Sequence, residues 1–163
     1  MQRHRAQFLV DAPRPKVWRA LHPLPPPDAP SPRIIDYPGG RIEVLSEGNE
    51  DGQGLVRTCT FRVPKLLGTG GVARSWECVV EARAGEYSRY VAVGKPIWSR
   101  AEGWQELEDA PGGGTLVTFT ETYEALSRLT RPLEGWVHRF ISKDNNAFFL
   151  EFIGRSGAVT EVA

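Results

Sequence analysis

The segment PLEGWVHRFISKDNNAFFLEFI, residues 132–153, decides the fold of this 163-residue chain. Its large apolar side chains recur at spacings of three and four residues, which is typical of one helix face. They are Leu133, Trp136, Val137, Phe140, Ile141, Phe148, Phe149 and Phe152. Pro132 suits the first turn of such a helix, and Gly154 suits its C-terminal end. The sequence therefore predicts a long amphipathic helix over residues 132–153.

Upstream of this helix, the chain reads as a series of strands. Six segments are each bounded by glycine, proline or asparagine, which favour turns. They span residues 41–47, 55–63, 74–83, 87–93, 98–107 and 115–123, and residues 5–10 predict a further strand. Because the connections are short, neighbouring strands are expected to be antiparallel. Residues 13–21 predict a short helix, since Val17, Trp18 and Leu21 share one helical face.

The order of these elements predicts the α+β fold class. An antiparallel sheet with one apolar face must cover that face, and the C-terminal helix is the only large element available. We therefore expect a curved, seven-stranded antiparallel sheet wrapped around one long helix, with a cavity between them. The length suits one domain, since domains commonly have about 100–200 residues. This domain is expected over residues 1–155, with a flexible tail over residues 156–163.

The composition excludes several classes of function. The chain has 20 basic and 20 acidic residues, which argues against a nucleic acid or an anionic membrane as partner. No apolar run approaches the ~20 residues of a membrane span, and the N-terminal residues do not resemble a signal peptide. Two cysteines are too few for a disulfide framework or a zinc site. A cytoplasmic protein without metal or cofactor is expected, and 16 arginines against 4 lysines indicate a GC-rich bacterial gene.

Three stretches together resemble a known superfamily. Residues 10–18 (VDAPRPKVW) look like its strand–Ala-Pro–helix entry, residues 76–121 like its middle strands, and residues 113–119 (GGTLVTF) like its last hairpin. This is the START-like, helix-grip superfamily (SRPBCC), and within it the polyketide cyclase/dehydrase-like group. The likeness spans nearly the whole chain. It departs at residues 23–32, where a proline-rich segment replaces the second short helix of many members.

The resemblance implies a cavity for a hydrophobic ligand, and it implies no activity. Members include lipid carriers, plant allergens, hormone receptors, chaperone activators and aromatase/cyclases, so the fold alone does not choose among them. We expect binding of a small lipid-like or polyketide-like molecule. One alternative is a polyketide cyclase/aromatase-like enzyme. A second is a protein-interaction module that uses residues 23–32, although six prolines in ten residues also suit a stiff surface loop.

Strand alternation and helix spacing select the candidate ligand-binding residues. They are Arg57, Trp76, Gln105, Phe119, Glu121, Tyr123, Phe140, Asp144 and Phe148. On the strand at residues 74–83, Trp76, Cys78, Val80 and Ala82 are expected to face inward. The inward face of residues 87–93 stays open, because neither set of alternating side chains is clearly apolar.

Several candidates have two interpretations. Arg57 suits recognition of a ligand carboxylate or enolate, or pairing with a nearby acid at the edge of the sheet. Glu121 suits pairing with Arg57, or a role as general base. Trp76 suits a ligand platform or plain core, and Asp144 suits a bond to a ligand, to a strand or to water. Trp104 is expected on the outer face, where it would suit a contact within a homodimer.

Histidine and cysteine chemistry is not expected at the site. His4 is near the terminus, His22 precedes the proline-rich segment, and His138 lies off the apolar stripe of the helix. The predicted strands of the sheet contain no histidine, so Cys59 and Cys78 have no nearby base and are expected to be buried thiols.

Overall fold

The computed structural model describes residues 1–26, 28–65, 70–95 and 97–162. Within them the strands are β1 (Gln2–Val10), β2 (Arg33–Tyr37), β3 (Gly40–Ser46), β4 (Val56–Arg62), β5 (Val72–Arg83), β6 (Tyr87–Lys95), β7 (Ser99–Asp109), β8 (Thr115–Ala125) and β9 (Val159–Val162). The helices are α1 (Arg14–Leu21) and α2 (Glu134–Gly154). A short 3-10 turn, Arg131–Leu133, leads into α2. No helix in the described ranges is both long and apolar enough to span a membrane.

These strands form one antiparallel sheet in the order β2-β3-β4-β5-β6-β7-β8-β1-β9. Strands β2 to β8 follow chain order, because each short connection places the next strand beside the last. Strand β1 pairs with β8 over its whole length, from Gln2 opposite Tyr123 to Val10 opposite Thr115. The curved sheet holds the long C-terminal helix on its inner face, so the predicted α+β helix-grip architecture is confirmed.

The two outermost strands were not predicted from the sequence. Strand β2 follows the proline-rich segment, and its adjacent Ile34 and Ile35 hide the alternation between exposed and half-buried positions. Strand β9 pairs with β1 through residues 159–162, where a flexible tail was expected. Each of these strands pairs with one neighbour only, and short edge strands carry a weak sequence signal. The sheet therefore has nine described strands, two more than predicted.

The main core lies where both helices meet the sheet. Phe8 on β1, Val17 on α1 and Phe149, Phe152 and Ile153 on α2 are almost fully buried there. Towards the N-terminal end of α2, Val137 packs against a smaller cluster, and Ile141 packs against a third on β4 and β5. The middle of the helix therefore lies over a part of the sheet that these clusters do not fill.

The buried face of α2 differs slightly from the predicted stripe. Val137, Ile141, Phe148 and Phe152 face the sheet. Phe140 is only half-buried and packs its ring edge-on against Trp136, 5.3 Å away. Leu133 lies outside the helix and is exposed. The predicted place of Phe140 on the cavity wall is therefore wrong. Ile141, four residues after Val137, takes the position on the helix that faces the sheet.

We expect Phe152→Ala to lower the free energy of unfolding by about 3–5 kcal/mol, because Phe152 is 1% exposed and its loss leaves a cavity in the main core. Phe140→Ala serves as a matched control on the same helix and should cost less than half as much. Urea denaturation followed by circular dichroism measures both values. An equal cost for the two variants would contradict the orientation of α2.

Candidate functional site

Two adjoining cavities lie between the sheet and α2. The outer cavity, of about 480 Å³, is bounded by the end of α1, the proline-rich segment, strands β2 and β3 and the loop at residues 47–52. The inner cavity, of about 60 Å³, lies between α2 and the middle strands of the sheet, from β4 to β8. Ile42, Arg57, Tyr90 and Phe148 line both cavities and mark the boundary between them.

An ion pair lies on this boundary. Arg57 Nε donates to Glu77 Oε2 at 2.9 Å, and Ser75 Oγ donates to Glu77 Oε1 at 2.8 Å. Arg57 and Glu77 are directly opposite each other on β4 and β5, so both side chains point to the same face. Burial has the largest single effect and lowers the pKa of Arg57, but the charge and the hydrogen bond of Glu77, together with weaker interactions, outweigh burial and raise the pKa overall. The predicted pairing of Arg57 with Glu121 is wrong, because Glu77 takes that place.

A β-bulge explains why Glu77 was not predicted on the inner face. The register between β5 and β6 shifts between Val79 and Glu81. The prediction assumed strict alternation along β5, without a bulge. It placed Ala82 correctly on the buried face, but it assigned the residues before the bulge to the wrong faces. Trp76 therefore points outward and is 38% exposed, so its prediction as a cavity residue is wrong. Cys78 shares that outer face, and the two cysteines lie on opposite faces.

The Tyr90 side chain on β6 crosses β7 and reaches the buried carboxyl of Glu121 on β8. Tyr90 on β6, Gly103 on β7 and Glu121 on β8 are consecutive partners in the register. A Cβ atom on Gly103 would overlap the Tyr90 ring, so only glycine lets this ring lie across β7. Tyr90 OH then donates to Glu121 Oε1 at 2.8 Å. The open question about residues 87–93 is thereby answered: Ser88, Tyr90 and Ala92 face inward.

Glu121 has an unusual electrostatic environment. Burial raises its pKa to about 7; hydrogen bonding by Tyr90 and by Asn145 opposes this shift, and the Glu77 charge adds to it. His138 Nε2 lies 3.8 Å from Glu121 Oε2. Burial, and next the proximity of His4, lower the pKa of His138 to about 4, so its ring is uncharged at neutral pH. Glu121 therefore has no cationic partner among the described residues, and about half of its carboxyl groups are protonated near pH 7.

One histidine, His22, lines the outer cavity, and His4 and His138 lie beside Glu121, contrary to the sequence-based expectation. His4 is opposite Glu121 on β1 and shares its face, and His4 Nε2 is 2.8 Å from Asn146 Oδ1 on α2. His22 follows α1 and stacks on Trp18 with 4.0 Å between ring centroids. Burial and the Arg57 charge lower the pKa of His22 to about 4. Strand β1 begins three residues earlier than predicted, which places His4 opposite Glu121, and His22 lies directly after α1.

The tip of the β2–β3 hairpin contacts the middle of α2. Tyr37 OH donates to Asp144 Oδ2 at 2.9 Å. A Cβ atom on Gly39 would lie only 2.6 Å from Asp144 Oδ1, so a larger residue in this turn would displace the Asp144 carboxyl. Burial raises the pKa of Asp144, and the Tyr37 hydrogen bond opposes that shift. Asp144 thus lies on the buried stripe as a link between the helix and the edge of the sheet.

Solved structures share the fold of this chain over almost its whole length. Ara h 8.0201 is 18% identical with a TM-score of 0.64, and the match covers 95% of this chain and 97% of that one. A protein from Thermus thermophilus is 17% identical with a TM-score of 0.63, covering 95% and 96%. The Zhui aromatase/cyclase from a Streptomyces species is 16% identical with a TM-score of 0.62, covering 95% and 93%. The chain has the helix-grip fold. No family model and no curated protein matches its sequence.

The helix-grip cavities contain most of the candidate residues. Arg57, Glu121, Tyr123, Asp144 and Phe148 line the inner cavity, and Gln105 lines the outer one. Phe119 faces inward but packs into the main core, with its ring centroid 4.5 Å from that of Phe149. The lining residues that were missed include three polar ones whose contacts organise the site: Tyr37, Glu77 and Tyr90. The one available signal was the pair of adjacent valines at residues 79 and 80, which is compatible with a bulge in β5.

Five buried side-chain atoms around the helix-grip cavities form no hydrogen bond of regular geometry among the described residues. They are Glu121 Oε2, Tyr123 OH and Asn145 Nδ2 at the inner cavity, and His22 Nε2 and Gln105 Oε1 at the outer cavity. Their side chains do have polar neighbours: Asn145 acts on the pKa of Glu121, Gln105 on that of His22, and Ser99 on that of Tyr123. Leaving a buried polar group unpaired costs about 1–3 kcal/mol. These atoms are therefore available to water or to a bound molecule, and they favour a ligand that carries polar groups.

The remaining reactive groups are less suited to catalysis. Cys59 lines the inner cavity, but burial raises its pKa well above the usual value, so it is a neutral thiol. Among the described residues, no group of three His, Cys, Asp or Glu side chains is arranged to hold a metal ion. Trp104 lies half-buried on the outer face of β7, and its role in a homodimer stays a prediction.

We expect Glu121→Gln to change how stability depends on pH. The raised pKa means that the stability supplied by the protonated carboxyl is complete below about pH 4.5 and is lost as pH rises through about 7. As pH rises from 4.5 to 8, the free energy of unfolding of the variant should therefore increase by about 3 kcal/mol relative to that of the wild type, at 1.36 kcal/mol per pKa unit.

Denaturant titrations at both pH values measure this difference. The exposed Glu106→Gln on β7 is the matched control, and its difference from the wild type should not vary with pH. A constant difference for Glu121→Gln as well would show that Glu121 is ionised throughout this range.

Proposed function

We propose that this protein binds one small, largely apolar molecule bearing polar oxygen groups in the cavities between its sheet and α2. The five buried atoms around these cavities that lack a regular hydrogen bond carry the proposal. A molecule that occupied the space would pair them and so recover part of the cost of burying them. The outer cavity, of about 480 Å³, has the size of a small-molecule site, which is commonly about 300–1,000 Å³.

The walls of the outer cavity favour an apolar body for this ligand. Leu21, Ile35, Val44, Leu55 and Val79 contribute aliphatic side chains, and burying apolar ligand surface against them is favourable at roughly 25 cal/mol per Å². Phe148 and Phe152 add aromatic rings from α2. A lipid-like chain or a polyketide-like ring system both fit this lining.

The alternative of a protein-interaction module has less support. It would be favoured by a sealed space filled with aromatic side chains, whereas a cavity of about 480 Å³ remains beside the proline-rich segment. Pro23, Leu24 and Pro25 form part of the wall of that cavity. This position suits a role of the segment in shaping the ligand entrance.

The cellular setting is also a proposal. Cys59 and Cys78 are free thiols, which suits a reducing compartment such as the cytoplasm. The excess of arginine over lysine supports a bacterial source.

Catalysed cyclisation of a polyketide-type chain is the second candidate function. The observation that favours it is Glu121, whose pKa of about 7 suits proton transfer at neutral pH in a cavity beside Tyr90 and Tyr123. Its carboxylate would take a proton from a methylene group between two carbonyls, and the resulting carbanion would attack a third carbonyl of the same chain. The carbon–oxygen π bond of that carbonyl would break, and its oxygen would take the proton back from Glu121. Zhui and BexL, both named as aromatase/cyclases, share the fold.

Incubation with a poly-β-ketone thioester tests this candidate. If Glu121 transfers the proton, the wild type should accelerate formation of one ring product, and Glu121→Gln should lower the rate by about a hundredfold or more. Glu106→Gln should leave it unchanged. Equal rates with and without protein would leave ligand binding as the only function supported.

We expect a neutral apolar dye such as prodan to bind the wild type with one site per chain. Val44→Phe fills part of the outer cavity and should weaken binding at least about tenfold, because it displaces the dye from an apolar wall. Val93→Phe, on the outer face of β6, is the matched control and should not affect binding. Fluorescence titration measures both affinities, with thermal unfolding as a check on folding. A dye that binds only to heated protein would contradict the proposed function.

A further inference from the structure

The inner cavity has no cation free to receive an anionic ligand. Arg57 is the one arginine or lysine among its described lining residues, and Glu77 already forms an ion pair with it. Both side chains are largely buried, with 17% and 11% exposure. Two further carboxyls, Glu121 and Asp144, face the same space. A ligand carboxylate placed here would therefore meet like charges without a positive partner.

The inner-cavity atoms that lack a regular hydrogen bond call for a group that both donates and accepts hydrogen bonds. Glu121 Oε2, when ionised, only accepts, and the Asn145 amide nitrogen only donates. Tyr123 OH can do either. Asn145 and Glu121 interact with each other but form no hydrogen bond of regular geometry. A ligand hydroxyl has one proton to donate and lone pairs to accept, so it can bridge the two side chains. An ammonium group has no lone pair and would leave the Asn145 donor unpaired.

We propose that the inner cavity selects an uncharged hydroxyl group, alcohol or phenol, on the ligand, and that Glu77 determines this selectivity by neutralising Arg57. The inference rests on the proposed binding function and names the chemical class of its ligand. It also revises the first interpretation of Arg57, because an arginine in a cavity suits a carboxylate only when no acid already holds it. Here Arg57 stays in its ion pair and the hydroxyl binds beside Glu121.

A matched series of naphthalene probes tests this selectivity at pH 7. The three probes carry a methanol, a carboxylate or a methylammonium group at the same ring position, so the apolar body is constant. For the wild type, the alcohol should bind at least about tenfold more tightly than either charged probe, as measured by displacement of prodan. A carboxylate or ammonium that binds as tightly as the alcohol would overturn the proposal.

Glu77→Gln then tests the role of Glu77. It leaves Arg57 unpaired, so affinity for the naphthalene carboxylate should rise at least about tenfold while affinity for the alcohol changes little. Glu81→Gln, an exposed position on the same strand, is the matched control and should behave as the wild type. An unchanged carboxylate affinity in a folded Glu77→Gln protein would overturn the assignment to Glu77.

A double variant keeps the test decisive if Glu77→Gln does not fold. Arg57→Met with Glu77→Gln removes both charges and avoids a lone buried ion. Its cavity should again prefer the alcohol, and a preference for the carboxylate would contradict the charge argument. Failure of prodan and of all three probes to bind the folded wild type would instead refute the proposed function itself.

Discussion

A single helix covers the inner face of a sheet that is wider than the helix, and the site depends on this mismatch. Nine strands about 4.8 Å apart span roughly 38 Å, whereas a helix with its side chains is about 10–12 Å across. Curvature of the sheet reduces the difference, and α1 fills the side nearest Phe8 and Val17. What is left unfilled forms the two cavities. The space for a ligand is thus a consequence of the architecture, independent of any particular side chain.

The polar residues on the cavity walls are arranged in register across the strands. Arg57 faces Glu77 on adjacent strands, and Tyr90 reaches Glu121 across Gly103. These contacts use only some of the hydrogen-bond donors and acceptors of the polar side chains, and Glu121 Oε2 is left without a regular hydrogen bond. Buried polar groups that are only partly paired reduce stability, so their concentration around one space is best understood as a cost tolerated for binding.

The contacts of Arg57 with Glu77 and of Tyr90 with Glu121 also influence which ligand groups the site can recognise. If Glu77 were absent, Arg57 would make the inner cavity positive, and a carboxylate would be its natural ligand. With Glu77 present, Glu121 has no cation to lower its pKa, and its carboxyl is partly protonated at neutral pH. The same pair therefore connects ligand selectivity to the acid–base behaviour of Glu121.

Much of the framework could be predicted from the sequence. The helix at residues 132–153 and all seven predicted strands agree with the structure to within three residues at each end, because their apolar spacing and turn residues are local properties. Strand alternation also placed Arg57, Gln105 and Glu121 on the inner face. The edge strand β2 and the tail strand β9 were missed, since a strand with one neighbour needs little sequence pattern of its own.

The sequence by itself determined the fold class, the covering helix and the existence of a cavity. Only the tertiary structure decided which charges meet inside it. The bulge after Val79 turns Glu77 inward and Trp76 outward, and it arises from pairing with β6. Likewise, His4 and His138 approach Glu121 because β1 and α2 pack beside β8. Such contacts join residues far apart in the chain, and local patterns of hydrophobicity contain no information about them.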